Sequence, residues 1–181
     1  MAATLESLLR ESYKNRFLTY KKLGNKVLSR LNETQLHWTP NEQSNSVAII
    51  VQHMAGNMRS RFTDFLSSDG EKSWRRRDME FEDRQYSKDQ LTLLWNQGWQ
   101  CLEDALAQLQ DEDLTKTVYI RGEAHTAADA LNRQLSHYPY HVGQMICIAK
   151  ALLGPAWDSL SIPVGQSDAF NAQMRQQQQP E

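Results

Sequence analysis

Cysteine is scarce in this sequence of 181 residues, which holds only Cys101 and Cys147. The two residues do not form a CxxC motif, which excludes dithiol oxidoreductase chemistry and predicts buried free thiols in place of a disulfide framework. A domain of this length buries about 70% of the surface of its unfolded chain, so it needs neither disulfides nor a metal merely to fold. A bound metal would therefore indicate another role.

Long hydrophobic runs and an excess of positive charge are also missing. No apolar run approaches the roughly 18 residues of a membrane span, and residues 1–10 lack the pattern of a signal peptide. Lys plus Arg total 20 against 22 Asp plus Glu, a formal net charge of −2, so no global field favours a nucleic-acid backbone. We expect a cytoplasmic protein that acts on a small-molecule substrate and has neither nucleic acid nor a membrane as its partner.

Glycine and proline are few, at 8 and 5 residues, while hydrophobic residues make up 40% of the chain. This composition is typical of one globular domain and excludes collagen-like and broadly disordered chains. The sequence has no glycine-rich phosphate loop and no GxSxG motif, which excludes kinases, dinucleotide-binding enzymes and α/β-hydrolases.

Apolar residues recur at steps of three and four in four long segments, a pattern typical of amphipathic helices. The segments span residues 5–31, 46–65, 87–109 and 126–153. The β-branched run over 47–51 would also suit a strand, but the helical spacing continues to Phe65, and this length favours a helix. Ser46 and Thr126 are predicted N-caps, and Gly154 with Pro155 ends the last segment.

The connectors complete the predicted fold. Residues 67–86 are far more than the roughly 2–8 residues that join antiparallel neighbours, so they predict a crossover along the bundle, and their many charges predict a solvated loop. Residues 117–120 predict a short strand or hairpin arm. We therefore predict an all-α four-helix bundle with a long crossover between helices 2 and 3. Its domain spans residues 1–172, and a flexible polar tail follows over 173–181.

Three histidines are candidate metal ligands. His137 and His141 lie four residues apart, on one face of the predicted fourth helix, and His53 lies among apolar residues in the second helix. If the two helices face each other, three nitrogens can converge on one ion at about 2.0–2.1 Å per Zn–N bond and leave a coordination position open. The same residues could be hydrogen-bonded core histidines, because HxxxH without an intervening Glu is weakly specific.

Two amides and a proline surround these histidines. Asn57 follows His53 by four residues and Gln144 follows His141 by three, so both amides could orient ligands or substrate, or could make ordinary interhelical hydrogen bonds. Pro139 lies between the two paired histidines and removes one helical donor, which threatens the i, i+4 geometry. No residue is assigned a catalytic role.

These residues resemble a known family. The single His of the second helix, and HxxxH followed by Gly143 and Gln144 in the fourth, resemble the DinB/YfiT-like superfamily of metalloenzymes. Four segments resemble its bacterial group known as DUF1572, namely residues 44–61, 69–72, 131–135 and 161–165. The resemblance covers nearly the whole chain.

The resemblance implies a four-helix bundle with a long crossover, a homodimer, and a divalent ion, Zn or Ni, held by His53, His137 and His141. Relatives in this superfamily include S-transferases and isomerases that use low-molecular-weight thiols, and others described as metal-dependent hydrolases. We expect thiol-dependent S-transferase-like chemistry on a small molecule. One alternative is a metal-dependent hydrolase, for which no carboxylate has the spacing of a general base. The other is a nonenzymatic, stress-related metal-binding module.

Overall fold

The computed structural model describes residues 3–177, and these are mostly helical. The order of elements is α1 (Leu5–Arg30), α2 (Glu33–Leu36), α3 (Val47–Phe62), α4 (Lys88–Gln108), β1 (Thr117–Ile120), β2 (Glu123–Thr126), α5 (Ala127–Leu153) and α6 (Ser167–Gln177). A 3₁₀ helix over Arg77–Phe81 lies in the connector between α3 and α4. Each of the four long segments with helical spacing forms a helix, and the run over 47–51 is helical. Helix α3 ends at Phe62, before the predicted limit of Phe65.

Side-chain caps set the ends of the long helices. Ser46 Oγ accepts a hydrogen bond from the Ile49 amide at 3.2 Å, and Thr126 Oγ1 accepts one from the Asp129 amide at 3.1 Å. Each bond satisfies a donor that the first helical turn leaves unpaired. At the other end of α5, Gly154 adopts a φ of 50°, which glycine tolerates without a Cβ penalty. The predicted caps are confirmed.

Helices α3 and α4 are parallel neighbours. Gln52 and Leu94, in the first half of each helix, line the same cavity, and past the far end of α3 Thr63 Oγ1 lies 3.6 Å from Cys101 Sγ. Parallel helices need a long return connection, and the connector over 63–87 runs back beside α3. Ser60 Oγ donates to the Gly70 carbonyl at 2.7 Å, and further along Gln52 Nε2 donates to the Glu82 carbonyl at 3.4 Å. This path is the crossover that the length of the connector predicts.

The other helix pairs complete the core. Helix α1 packs on α5 through the Phe17 and Tyr138 rings, with centroids 6.0 Å apart, and on α4 where Trp95 Nε1 donates to Asn25 Oδ1 at 2.7 Å. Helices α3 and α5 are antiparallel, because His53 lies beside His137 whereas Arg61, further along α3, lines a cavity with Gln134, which precedes His137 in α5. The largest fully buried side chains lie between these four helices and include Phe17, Met54, Met58, Trp95, Trp99, Leu102 and Tyr138.

One sequence-based expectation, the burial of the cysteines, needs correction. Both cysteines are free, but Cys101 is only half-buried and Cys147 is exposed. Cys147 lies two residues from both buried Met145 and buried Ala149, which places it on the opposite face of α5. Helix α6 includes residues 173–177, the first part of the polar tail predicted over 173–181, and these residues are exposed. Residues 178–181 lie outside the described residues.

Across residues 3–177, no helix combines the length and the apolar character needed to cross a membrane.

The close approach of α3 and α4 generates a stability prediction. A Cβ at Gly98 would lie 2.8 Å from the Cα of Ala55, whereas a Cβ at Gly143 would meet nothing within 4 Å. We expect Gly98→Ala to lower the free energy of unfolding by about 1 kcal/mol or more, because two backbones must separate. The matched change Gly143→Ala should raise it by about 0.5–1 kcal/mol. Urea denaturation measures both, and equal effects would contradict the packing described here.

Candidate metal centre

The three predicted histidines converge at the meeting of α3 and α5. His53 Nε2 lies 3.3 Å from His137 Nε2, which lies 3.0 Å from His141 Nε2. One ligand atom from each of the three residues lies within 4.8 Å of the others. The side chain of His53 is only 5% exposed, so the cluster lies in the interior and not on the surface.

Hydrogen bonds at Nδ1 of two rings determine which ring nitrogens face the centre of the cluster without a proton. His53 Nδ1 lies 2.9 Å from Glu80 Oε2, and His141 Nδ1 lies 3.1 Å from Gln144 Oε1. A carboxylate or amide oxygen only accepts, so each Nδ1 donates and each neutral ring keeps a lone pair on Nε2. His137 Nε2 carries at most one proton and can satisfy only one of these lone pairs. The site therefore presents more acceptors than donors, which a cation would correct.

Protonation of His137 or His141 does not supply that cation near neutral pH. Burial, together with the neighbouring His141 and His53, lowers the pKa of His137 from 6.5 to about 3. Burial and then His53 lower the pKa of His141 to about 4. Both imidazoles are therefore neutral at pH 7, the form that binds metal ions.

The donor set fits a divalent ion. Two nitrogens bound to one ion at about 2.0–2.1 Å lie about 2.9–3.4 Å apart for bond angles between octahedral and tetrahedral. The separations of 3.3 Å and 3.0 Å fall in this range. Imidazole nitrogen suits Zn, Ni, Cu and Fe, so His53, His137 and His141 could together hold such an ion.

Pro139 does not disrupt the pairing of His137 with His141. Helix α5 continues through the proline from Ala127 to Leu153, and the two Nε2 atoms stay 3.0 Å apart. The i, i+4 spacing therefore keeps its geometry across the lost hydrogen bond.

Glu80 is the part of the site that sequence reasoning missed. Its carboxylate accepts from His53 and also from Arg75 Nε and Nη2, both at 2.8 Å. The side chains of Glu80 and Arg75 are 11% and 2% exposed, which corrects the prediction of a solvated loop. Burial raises the pKa of Glu80, but hydrogen bonds from Arg75 and His53 outweigh it and hold the pKa below its usual value. Glu80 thus stays ionised and fixes the orientation of His53.

The two candidate amides act in different ways. Gln144 contacts His141 directly, as its spacing predicts. Asn57 instead accepts a hydrogen bond from the buried Tyr138 hydroxyl at 3.0 Å, and it lines a cavity of about 240 Å³ beside His53 and His137. The other two histidines lie outside the cluster: His37 pairs with Asp83 and His125 with Asp129.

Comparisons with known proteins identify one family. The family described as "Protein of unknown function (DUF1572)" has a model that matches residues 5–166. A search of curated proteins and a search of solved structures both found no match.

The lowered histidine pKa values predict how the stability of the metal-free protein depends on pH. Below about pH 6.5, His137 and His141 become protonated in the unfolded chain but stay neutral in the folded chain. The free energy of unfolding therefore falls as the pH drops from 6.5 towards 4. Allowing for partial exposure of His137, we expect a loss of about 1–2 kcal/mol between pH 7 and pH 5. The double variant His137→Gln/His141→Gln should lose less.

Urea denaturation with a chelator at pH 7, 6 and 5 checks this prediction. Carboxylates of lowered pKa, such as Glu80, lose their contribution only below about pH 4.5, so the window separates the two causes. The same pH slope in the wild type and the double variant would contradict the account.

Proposed function

The chain belongs to the DUF1572 family, and from the geometry of its site we propose that it is a divalent-metal-dependent enzyme with thiol-dependent S-transferase-like chemistry on a small molecule. His53, His137 and His141 hold the ion, with Zn or Ni as the best candidates. The observation that carries this proposal is the convergence of three imidazole nitrogens with too few protons to satisfy one another.

The proposal includes membership of the DinB/YfiT-like superfamily, which the sequence resembles. We propose that α1, α3, α4 and α5 form a DinB/YfiT-like four-helix bundle, because the connector between α3 and α4 has the expected long path. We also propose that the chain works in the cytoplasm as a homodimer, with no nucleic-acid or membrane partner. Leu5, Leu8 and Leu9 support self-association, since they lie exposed on one face of α1 at 68%, 58% and 37%. Light scattering that gives a monomer mass would contradict the dimer.

Each residue of the site has a separate task. The three neutral imidazoles donate nitrogen and leave the full positive charge at the centre. Glu80 and Gln144 hold two of the rings by their Nδ1 protons, which keeps both Nε2 lone pairs aimed inward. When bound, a divalent ion lowers the pKa of a thiol at its open coordination position and so makes a nucleophile near neutral pH.

The positions of the carboxylates favour a transferase over a hydrolase. A hydrolase needs a general base beside the attacking water. Among residues 3–177, Glu80 is the carboxylate that contacts the histidine cluster, but Arg75 and His53 occupy its oxygens and lower its pKa. Such a group is a weak base. A thiol of low pKa is already deprotonated and needs no general base. S-transfer therefore requires fewer catalytic groups than hydrolysis does.

Metal analysis tests the centre. We expect the chain, purified without a polyhistidine tag, to hold about one divalent ion, and His53→Gln to lose most of it. His125→Gln is the matched control, because His125 lies outside the cluster and pairs with Asp129. Elemental analysis and thermal unfolding provide the measurements. Substoichiometric metal, with the stability of His53→Gln equal to that of the wild type, would contradict every metal-based function.

Thiol transfer tests the reaction. Monochlorobimane mixed with glutathione, bacillithiol or mycothiol should form the S-conjugate faster with the metal-loaded chain than with the thiol alone. The excess rate should vanish in His53→Gln and persist in His125→Gln. No excess rate with any thiol would overturn the transferase. Turnover in a panel of esters, amides and lactones would then indicate a hydrolase, and inactivity there as well would leave a nonenzymatic metal-binding module.

A further inference from the structure

A small cavity adjoins the histidine cluster and is lined mainly by arginine. Its volume is about 240 Å³, and His53 and His137 form one side. The remaining lining residues are Asn57, Arg61, Arg75, Arg77, Arg121, Arg133 and Gln134. Pockets for whole drug-sized ligands commonly measure about 300–1,000 Å³, so this cavity suits one polar group of a ligand whose remainder extends elsewhere.

The cavity has more positive charge than its carboxylate partners balance. One oxygen of Glu71 serves three guanidinium groups, with Oε2 lying 3.2 Å from Arg61, 3.5 Å from Arg75 and 3.1 Å from Arg121. Glu80 pairs with Arg75, and the fully exposed Asp78 lies 3.8 Å from Arg77. Within residues 3–177 no carboxylate lies within salt-bridge distance of Arg133. Four of the five arginines therefore share three carboxylates, and Arg133 has none among the described residues. Guanidinium groups stay protonated at any working pH.

Three of the five arginines are held in place by contacts within the protein. Arg61 and Arg75 are 6% and 2% exposed, and Arg61 donates to the Gly70 carbonyl. Arg121 lies at the turn of the β1–β2 hairpin with a φ of 57°, a strained conformation for a residue with a Cβ. Asp69 holds that turn by accepting from the Arg121 amide at 2.8 Å and the Gly122 amide at 2.7 Å.

Two buried guanidinium nitrogens beside the cavity make no hydrogen bond to the residues that the structure describes. They are Arg61 Nε and Arg75 Nη1, and the second has only Glu71 Oε2 at 3.5 Å. Both nitrogens are inaccessible to solvent, so a ligand would act on them through its charge and not through a direct hydrogen bond. The exposed side chains of Arg121 and Arg133 can donate directly, and the planar or tetrahedral oxygens of an anion match the forked geometry of guanidinium.

We propose that this cavity is an oxyanion subsite, which binds the carboxylate or phosphate group of the ligand that reacts at the three histidines. The subsite rests on the proposed function for its role in a reaction, whereas its binding of anions rests on the arginines alone. The chemical class of ligand is thus a small organic anion, with its charged group in the cavity and its reacting atom directed toward His53 and His137.

Calorimetric titration with inorganic phosphate and, separately, malonate tests the subsite and distinguishes the two sources of charge. The full-length chain is used as purified and again after chelation, at low ionic strength. We expect one anion per chain in both preparations. Arg133→Gln and Arg121→Gln should each weaken binding about tenfold, since each removes a charged donor. These side chains are exposed at the cavity mouth, so both variants should keep the thermal stability of the wild type.

Arg16→Gln is the matched control, because Arg16 is exposed on α1 and lies outside the cavity. It should bind both anions as the wild type does. Three results would overturn the subsite: no binding of either anion, equal weakening by Arg16→Gln, or binding that chelation abolishes and that neither cavity variant changes. The last result would place the anion on the metal alone. The titration measures anion binding and no turnover, so its result is independent of whether the transferase assay succeeds.

Discussion

Three imidazoles directed at one point constrain the rest of this structure. His137 Nε2 lies 3.3 Å from His53 Nε2 and 3.0 Å from His141 Nε2. At these distances the lone pairs of two nitrogens repel unless a proton or a cation lies between them. Burial keeps protons away from His137 and His141 by lowering the pKa of each. The arrangement is then held by other contacts, and the surrounding elements of the fold supply them.

The crossover provides the most important of those contacts. Because α3 and α4 run parallel, the chain must return along the length of α3 before α4 can begin. That return passes His53, so Glu80 reaches Nδ1 of this ring and Arg75 reaches Glu80. Topology and chemistry are therefore coupled. A short antiparallel connection would pack the same helices but would leave His53 without the carboxylate that fixes its tautomer.

The sequence predicted those features that depend on neighbours along the chain. Helical spacing, the caps at Ser46 and Thr126, and the shared face of His137 and His141 follow from local geometry. The contact of Gln144 with His141 could be predicted by the same reasoning. The burial of Glu80 and Arg75 could not be predicted in this way, because Glu80 contacts the distant His53 and Arg75 contacts Glu80. A charge-dense segment normally faces solvent. One signal was present: Met79 and Phe81 flank Glu80, and the Phe81 ring packs 4.8 Å from the His53 ring.

The contrast between global and local charge bears on what can enter the site. The whole chain has a net charge of −2, which gives no long-range attraction for an extended polyanion. Within a few ångströms of the histidines, however, arginines from α3, the crossover, the hairpin and α5 surround one small cavity. Walls of low dielectric strengthen such a field inside the cavity, while solvent screens it outside. The protein can therefore favour a small anion at the site without a basic surface, and this selectivity follows from the same return of the chain that places Glu80 on His53.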